Sequence, residues 1–168
     1  MAARRRRRAP DQAWKRLRES PDYVSDWDAS AGLTAREAPP RAFRRQTEAD
    51  LKAARWGLLA WEDPHHPQAA EVFWADPAMV EARVARSARY AWRTLVLDSG
   101  ASYAGLRLLD GALVLKVWCG RETGQVRIID GAAFNPATSG LELATGHGVD
   151  TASDWVRIES VERILSGC

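Results

Sequence analysis

His65 and His66 stand side by side in the loop 62–67, EDPHHP, next to the carboxylates of Glu62 and Asp63. Imidazole beside carboxylate is the donor set of a transition-metal site or of a general acid–base pair. Adjacent side chains leave the backbone in different directions, however, and no second ligand pair follows at a useful spacing. EDPHHP is therefore read as a polar surface loop, and no metal is expected. His147, between two glycines in TGHGVD, could serve as a general base only beside a nucleophile, and the sequence offers it no partner. Cys119 closes the apolar run LVLKVWC, where a thiol packs as a small apolar residue more often than it attacks. No phosphate-cradling glycine loop, serine elbow, HExxH pair or paired zinc-knuckle cysteines occurs. The chain is expected to be non-enzymatic and to use no cofactor; an enzyme centred on His65, His66 and His147 is the third alternative.

A different chemistry is suggested by the cations and rings. The chain has 24 Lys/Arg against 22 Asp/Glu and eight tryptophans. Residues 1–60 hold 14 basic against 8 acidic residues, a balance of +6, and residues 61–168 hold 10 against 14, a balance of −4, which together make the net +2. Guanidinium and ammonium groups can neutralise phosphates, and rings interleaved with them can stack on exposed bases. The candidate phosphate contacts are Arg4, Arg5, Arg6, Arg7, Arg8, Lys15, Arg16, Arg18, Arg41, Arg44, Arg45, Lys52 and Arg55. They would position DNA without reading its bases. The alternative for the arginine run is a disordered, solubilising tail. Tryptophan usually ends in a core or an interface. Trp14, Tyr23, Trp27, Trp56 and Trp74 are expected to form a structural aromatic cluster, Trp118 to pack as well, and Trp61 and Trp92 are left open.

These residues need elements to hold them. Residues 1–10 read as a basic tail with no apolar stretch or cleavage site of an export signal behind it. Residues 11–60 read as a helical module. DQAWKRLRE brings Trp14, Leu17 and Arg18 to one side at helical spacing, and in SPDY Ser20 caps a second helix with Pro21 at its first position. Tyr23 and Trp27 then share a face. Residues 28–46 read as a linker or long loop. Thr47 and Asp50 form a capping-box-like pair opening a third helix that Gly57 ends. Residues 61–92 read as a connecting segment, with VFWAD as a short strand and residues 77–92 as a helix. From 93 to 168, RTLVLD, YAGLRLLD, ALVLKVWC and QVRIID read as an antiparallel meander, with a type I′ turn at Asp110 and Gly111 and a further strand in SGLELATG. A helix capped by Thr151 and Asp154 follows, with Trp155, Ile158, Val161 and Leu165 on one stripe. The fold class is thus α+β: an N-terminal short-helix module, a small antiparallel β-meander and a C-terminal helix. At 46% hydrophobic and 27% charged residues, with no apolar run near the ~18–20 residues of a membrane span, a cytoplasmic protein without membrane contact is expected. Cys119 and Cys168, the two cysteines, are read as free thiols.

Two stretches also carry a family likeness. AWKRLRESPDYVSDW, residues 13–27, orders a Trp, a Leu-Arg pair, a Ser-Pro-acid-Tyr turn and a later aromatic. RWGLLAWEDPHHPQAAEVFW, residues 55–74, orders Arg-Trp-Gly-Leu, an Asp-Pro and an apolar-Phe-Trp run. Over residues 11–75 the chain resembles bacterial transcriptional-regulator-like proteins, similar to the RovC-type activators of type VI secretion genes and to regulators carried on mobile conjugative elements. From residue 93 the likeness is one of β-meander texture. The resemblance implies a transcription factor in which a C-terminal helical domain binds promoter DNA and the rest of the chain builds an oligomer. Against that pattern, the basic multi-helix segment is expected to be missing or reduced here, since one mixed-charge helix leads to ERILSGC. Two expectations follow: a DNA-associated or regulator-assembly protein whose basic N-terminal part touches phosphates, or a protein-interaction module without direct DNA binding, such as an antiactivator or the partner subunit of a split transcription factor. A homo-oligomer or a partner regulator subunit is expected in either case.

Overall fold

The computed structural model describes residues 10–30, 43–66, 71–76, 79–85, 102–119, 122–135 and 139–143. Two α-helices open the described chain, α1 at Pro10–Arg18 and α2 at Pro21–Ser30. Proline occupies the first position of each, where its missing N–H has no helical partner to lose. Ser20 joins them: its N–H closes α1 on Leu17 O at 3.0 Å, and its Oγ accepts the Tyr23 N–H at 3.4 Å to cap α2.

The third helix, Glu48–Trp56, is a 3-10 helix rather than an α-helix. Its three-residue repeat stacks Asp50, Ala53 and Trp56 on one face, and that face is the covered one: Ala53 is fully buried while Leu51, Lys52, Ala54 and Arg55 are exposed. Asp50 anchors the start by accepting the Thr47 N–H at 2.8 Å and, through its other oxygen, the Trp61 N–H at 3.0 Å. Gly57 ends it at φ 76°, the left-handed conformation glycine adopts without steric cost.

The sheet has six strands in the order β1-β3-β4-β5-β2-β6, formed by β1 Arg44–Arg45, β2 Val80–Ala85, β3 Ser102–Arg107, β4 Leu113–Cys119, β5 Glu122–Ile128 and β6 Gly140–Leu143. The run β3-β4-β5 is the expected antiparallel meander. The whole sheet is mixed, however, because β1 joins β3 and β2 joins β5 in parallel, and β6 closes antiparallel on β2. Strand β2 overturns the helix expected over 77–92: Ala82 is buried while Glu81 and Arg83 are exposed, an alternation of period two. In so short a segment Met79, Val80, Arg83 and Val84 also fit a helical spacing, which is why the pattern misleads. VFWAD forms no strand, and Trp74 makes only an isolated bridge with Leu58. The β3–β4 turn is not type I′, which needs positive φ at both central residues. It is a four-residue turn, 108–111, closed by the Gly111 N–H on Leu108 O at 3.1 Å, with Gly111 alone at positive φ (90°). RTLVLD and the C-terminal helix lie outside the described residues.

The two faces of the sheet carry different cores. Leu113, Leu115, Val117 and Ile128 pack with Phe43 and Phe134 on one face. On the other, Leu106 and Val114 meet Ala60 and Phe73 from the loops that lead out of the helical layer. Among the described residues no helix is long and apolar enough to cross a membrane.

Candidate functional site

The helical layer is built on rings. Trp14, Tyr23, Trp27, Ala53, Leu58, Trp61 and Val72 form one buried cluster, with Leu17, Trp56 and Trp74 packed against it. The structure thus brings Trp14, Tyr23, Trp27, Trp56 and Trp74 together. Tyr23 is the hub, meeting Trp14 and Trp56 edge-on at centroid distances of 6.1 and 5.5 Å and Trp61 at 5.8 Å. Trp61, left open by the sequence, is a core residue whose Nε1 donates to Ala49 O at 2.8 Å. Trp118 is half-buried, and Trp92 lies outside the described residues.

Beside this cluster, a group of buried charges ties the helical layer to the sheet. Glu62 is its centre. Its carboxylate accepts Arg44 Nη1–H at 3.1 and 3.0 Å and the Phe73 N–H at 3.3 Å, while Arg44 Nη2 donates to Trp61 O at 2.9 Å. The Tyr23 hydroxyl donates to Glu62 O at 2.6 Å and accepts the Glu62 N–H at 3.2 Å. From β4, Lys116 Nζ donates to Val72 O. Burial pushes the Glu62 carboxyl up from its ordinary value, against the pull of Arg44, the Phe73 amide and Lys116. Burial also pushes Lys116 down to about 8, with the Glu62 charge acting the other way, and holds the Tyr23 phenol above its ordinary range. Lys116 and Tyr23 are sealed from solvent.

The cations fall into three groups. Lys15 and Arg16 are exposed on α1, and Arg18 is half-buried at its end; Trp14, on the opposite side, holds the helix down through an Nε1 bond to His66 O at 3.0 Å. Arg45 and Lys52 are exposed as well. Arg44 and Arg55 are ion-paired: Arg44, half-buried, with Glu62 and the Trp61 carbonyl, and Arg55, which stays exposed, with Asp26, its guanidinium 5.3 Å from the Trp56 ring centroid. Arg4, Arg5, Arg6, Arg7, Arg8 and Arg41 lie outside the described residues.

The histidine loop serves the helical layer. His65 meets the edge of Trp27 at 5.9 Å, and His66 Nε2 lies 3.5 Å from Glu71 Oε2. Among the described residues no group of three or more His, Cys, Asp or Glu side chains is placed to hold a metal ion. Cys119 is the last residue of β4, and His147 lies outside the described residues.

Sequence reasoning named Glu62 only as a carboxylate beside the histidines, and missed Lys116 and Gln125. Lys116 left a signal, a lone lysine inside LVLKVW with apolar residues at every neighbouring position of both faces. Gln125 left none; its side-chain amide accepts the Trp74 N–H at 2.8 Å and donates to Trp74 O at 2.9 Å, a strand-like pairing made by a side chain. The sequence matches no protein-family model, and no curated protein is significantly similar to it.

Proposed function

We propose that this protein is a non-enzymatic, transcriptional-regulator-like factor of the cytoplasm that touches DNA through its phosphates and works as part of an assembly. The observation that carries this reading is the anchoring of α1. Trp14 is buried and hydrogen-bonded, which leaves Lys15 and Arg16 exposed, separated by residues 9–14 from the run Arg4, Arg5, Arg6, Arg7 and Arg8. Residues 1–18 hold eight cations and one acid, Asp11, a balance of +7. Such a density attracts a polyanion without base readout. The order of landmarks over residues 11–75, with its likeness to RovC-type activators, supports the regulator class.

Binding of a fluorescent duplex to the full chain, followed by anisotropy across a salt series, tests this. If about five phosphates are neutralised, log affinity falls with log salt at a slope of roughly −4 to −5. Changing Arg4, Arg5, Arg6, Arg7, Arg8, Lys15 and Arg16 to Gln flattens that slope. No duplex binding at low salt, or a salt-insensitive affinity, rules the DNA contact out. The second reading, a protein-interaction module, is favoured by exposed Leu51, Leu109 and Ile129, the large apolar side chains left uncovered among the described residues. It predicts recovery of a regulator partner by the seven-fold Gln variant as efficiently as by the parent.

A further inference from the structure

Residues 72–74 cross the sheet without joining it as a strand, and two neighbouring side chains strap them there. Lys116 on β4 and Gln125 on β5 are register partners; Lys116 holds Val72 O and Gln125 holds both backbone groups of Trp74. Glu62 holds the Phe73 N–H between them. The strap is therefore fastened at three successive residues, with Lys116 as its only ionised fastener on the sheet side among the described residues.

Among the described residues no carboxylate forms an ion pair with Lys116 Nζ; the Glu62 carboxylate acts on it only at longer range and is itself bonded to Arg44 and the Phe73 N–H. The cross-strand neighbours of Lys116, Ala104 on β3 and Gln125 on β5, are not ionisable. Among the described residues, the charged and titratable groups around the joint are Glu62 and Asp63 in the loop after the 3-10 helix, Arg44 on β1 and Tyr23 on α2. With Tyr23 neutral, the joint holds two cations, Arg44 and Lys116, against one anion, Glu62; the Arg44 side chain still reaches solvent, whereas Lys116 does not. A buried charge in excess is costly, and a lysine can shed it where an arginine cannot.

We infer that the helical layer closes on the sheet with release of the Lys116 proton, so that the strap at residues 72–74 closes more favourably in alkali than at neutral pH. The direction follows from linkage. The folded lysine titrates near 8 and the unfolded one near 10.5, so between these values the unfolded chain binds more protons, and stability rises with pH. Below about pH 8 both forms are protonated and this contribution is flat. Above about pH 10 the rise ends as unfolded Tyr23 begins to ionise while its folded phenol does not, which favours the unfolded state.

The test uses the full chain. The ε-methylene shift of Lys116 is followed by NMR from pH 6.5 to 10.5, and urea unfolding is measured over the same range for the parent and Lys116→Met. The parent lysine is expected to titrate near 8, with the unfolding equilibrium constant falling by up to about tenfold per pH unit between 8.5 and 10. Lys116→Met is expected to lose that dependence. Amide exchange at Phe73 and Trp74, corrected for its intrinsic pH dependence, should slow along the same curve. Titration of Lys116 at the ordinary lysine value overturns the inference, as does an unchanged pH dependence in Lys116→Met or exchange at the strap that ignores pH. Should Lys116→Met fail to fold, titration and exchange in the parent decide alone.

Discussion

Replacing Glu62 with Ala should loosen the joint between the helical layer and the sheet by a calculable amount. The substitution removes the acceptor of both Arg44 contacts and of the Phe73 N–H. Phe73 is buried, and leaving its amide unpaired costs about 1–3 kcal/mol. Breaking a buried ion pair from one side costs about 3–5 kcal/mol. The lower end applies here, because the Arg44 side chain is 32% exposed and can regain water. A relief acts in the opposite sense: the raised Glu62 pKa records a desolvation cost that vanishes with the carboxylate. The expected loss is therefore about 2–3 kcal/mol. Glu62→Gln keeps an oxygen for Phe73 and Arg44 and loses only the charge, so it should cost about 1 kcal/mol. Urea unfolding at pH 7, read by tryptophan emission with unchanged m-value, measures both. An Ala variant within 0.5 kcal/mol of the parent, or a Gln variant as costly as the Ala variant, would refute the assignment of Glu62 as the hub.

The remaining expectations concern the backbone. A Cβ at Gly105 would stand 2.2 Å from Phe43 Cδ1, so Gly105→Ala should cost about 1–3 kcal/mol by overpacking and be partly restored by Phe43→Leu; equal costs in both backgrounds would sink this account. At Gly57 nothing lies within 4 Å of a built Cβ, so Gly57→Ala should cost only the left-handed backbone strain of about 1–2 kcal/mol, and Gly57→Asn less, in thermal melts of the same buffer.

The capped elements were legible in the sequence because their signals are local. Ser20 and Pro21 announce α2, the Thr47 and Asp50 pair announces the third helix, and the apolar runs between glycine turns announce β3-β4-β5. The 3-10 character of Glu48–Trp56 was not legible, since burial at 50, 53 and 56 shows only once a surface lies against it. Strands β1 and β2 were hidden because each pairs in parallel with a partner far along the chain, Arg44 with Leu106 and Val80 with Val126, and no turn links them. The buried charge cluster was hidden for the same reason: Arg44, Glu62 and Lys116 are distant in sequence, and only the closed fold shows which of them are spent on one another.

That closure also changes what the basic balance of the first 60 residues means. A count of cations treats Arg44 and Arg55 as equal to Lys15 and Arg16, yet Arg44 answers Glu62 and Arg55 answers Asp26. Each of these cations is offset by an adjacent carboxylate, which lowers the charge offered to a polyanion without altering the sequence total, although Arg55 itself stays exposed. Asp26 contributes further, for its carboxylate also accepts Trp56 Nε1 at 2.9 Å and so fixes the 3-10 helix against α2. Arg44 and Arg55 near the aromatic cluster thus help to hold the layer together, whereas Lys15 and Arg16 stand exposed on α1. Neutralising Arg55 should therefore destabilise the helical layer with little change in the salt slope of DNA binding, whereas neutralising Lys15 and Arg16 should reduce the slope by about one to two with little change in stability. The opposite pattern, a stability loss at Lys15 and Arg16 and a slope change at Arg55, would show that this division of the cations is wrong.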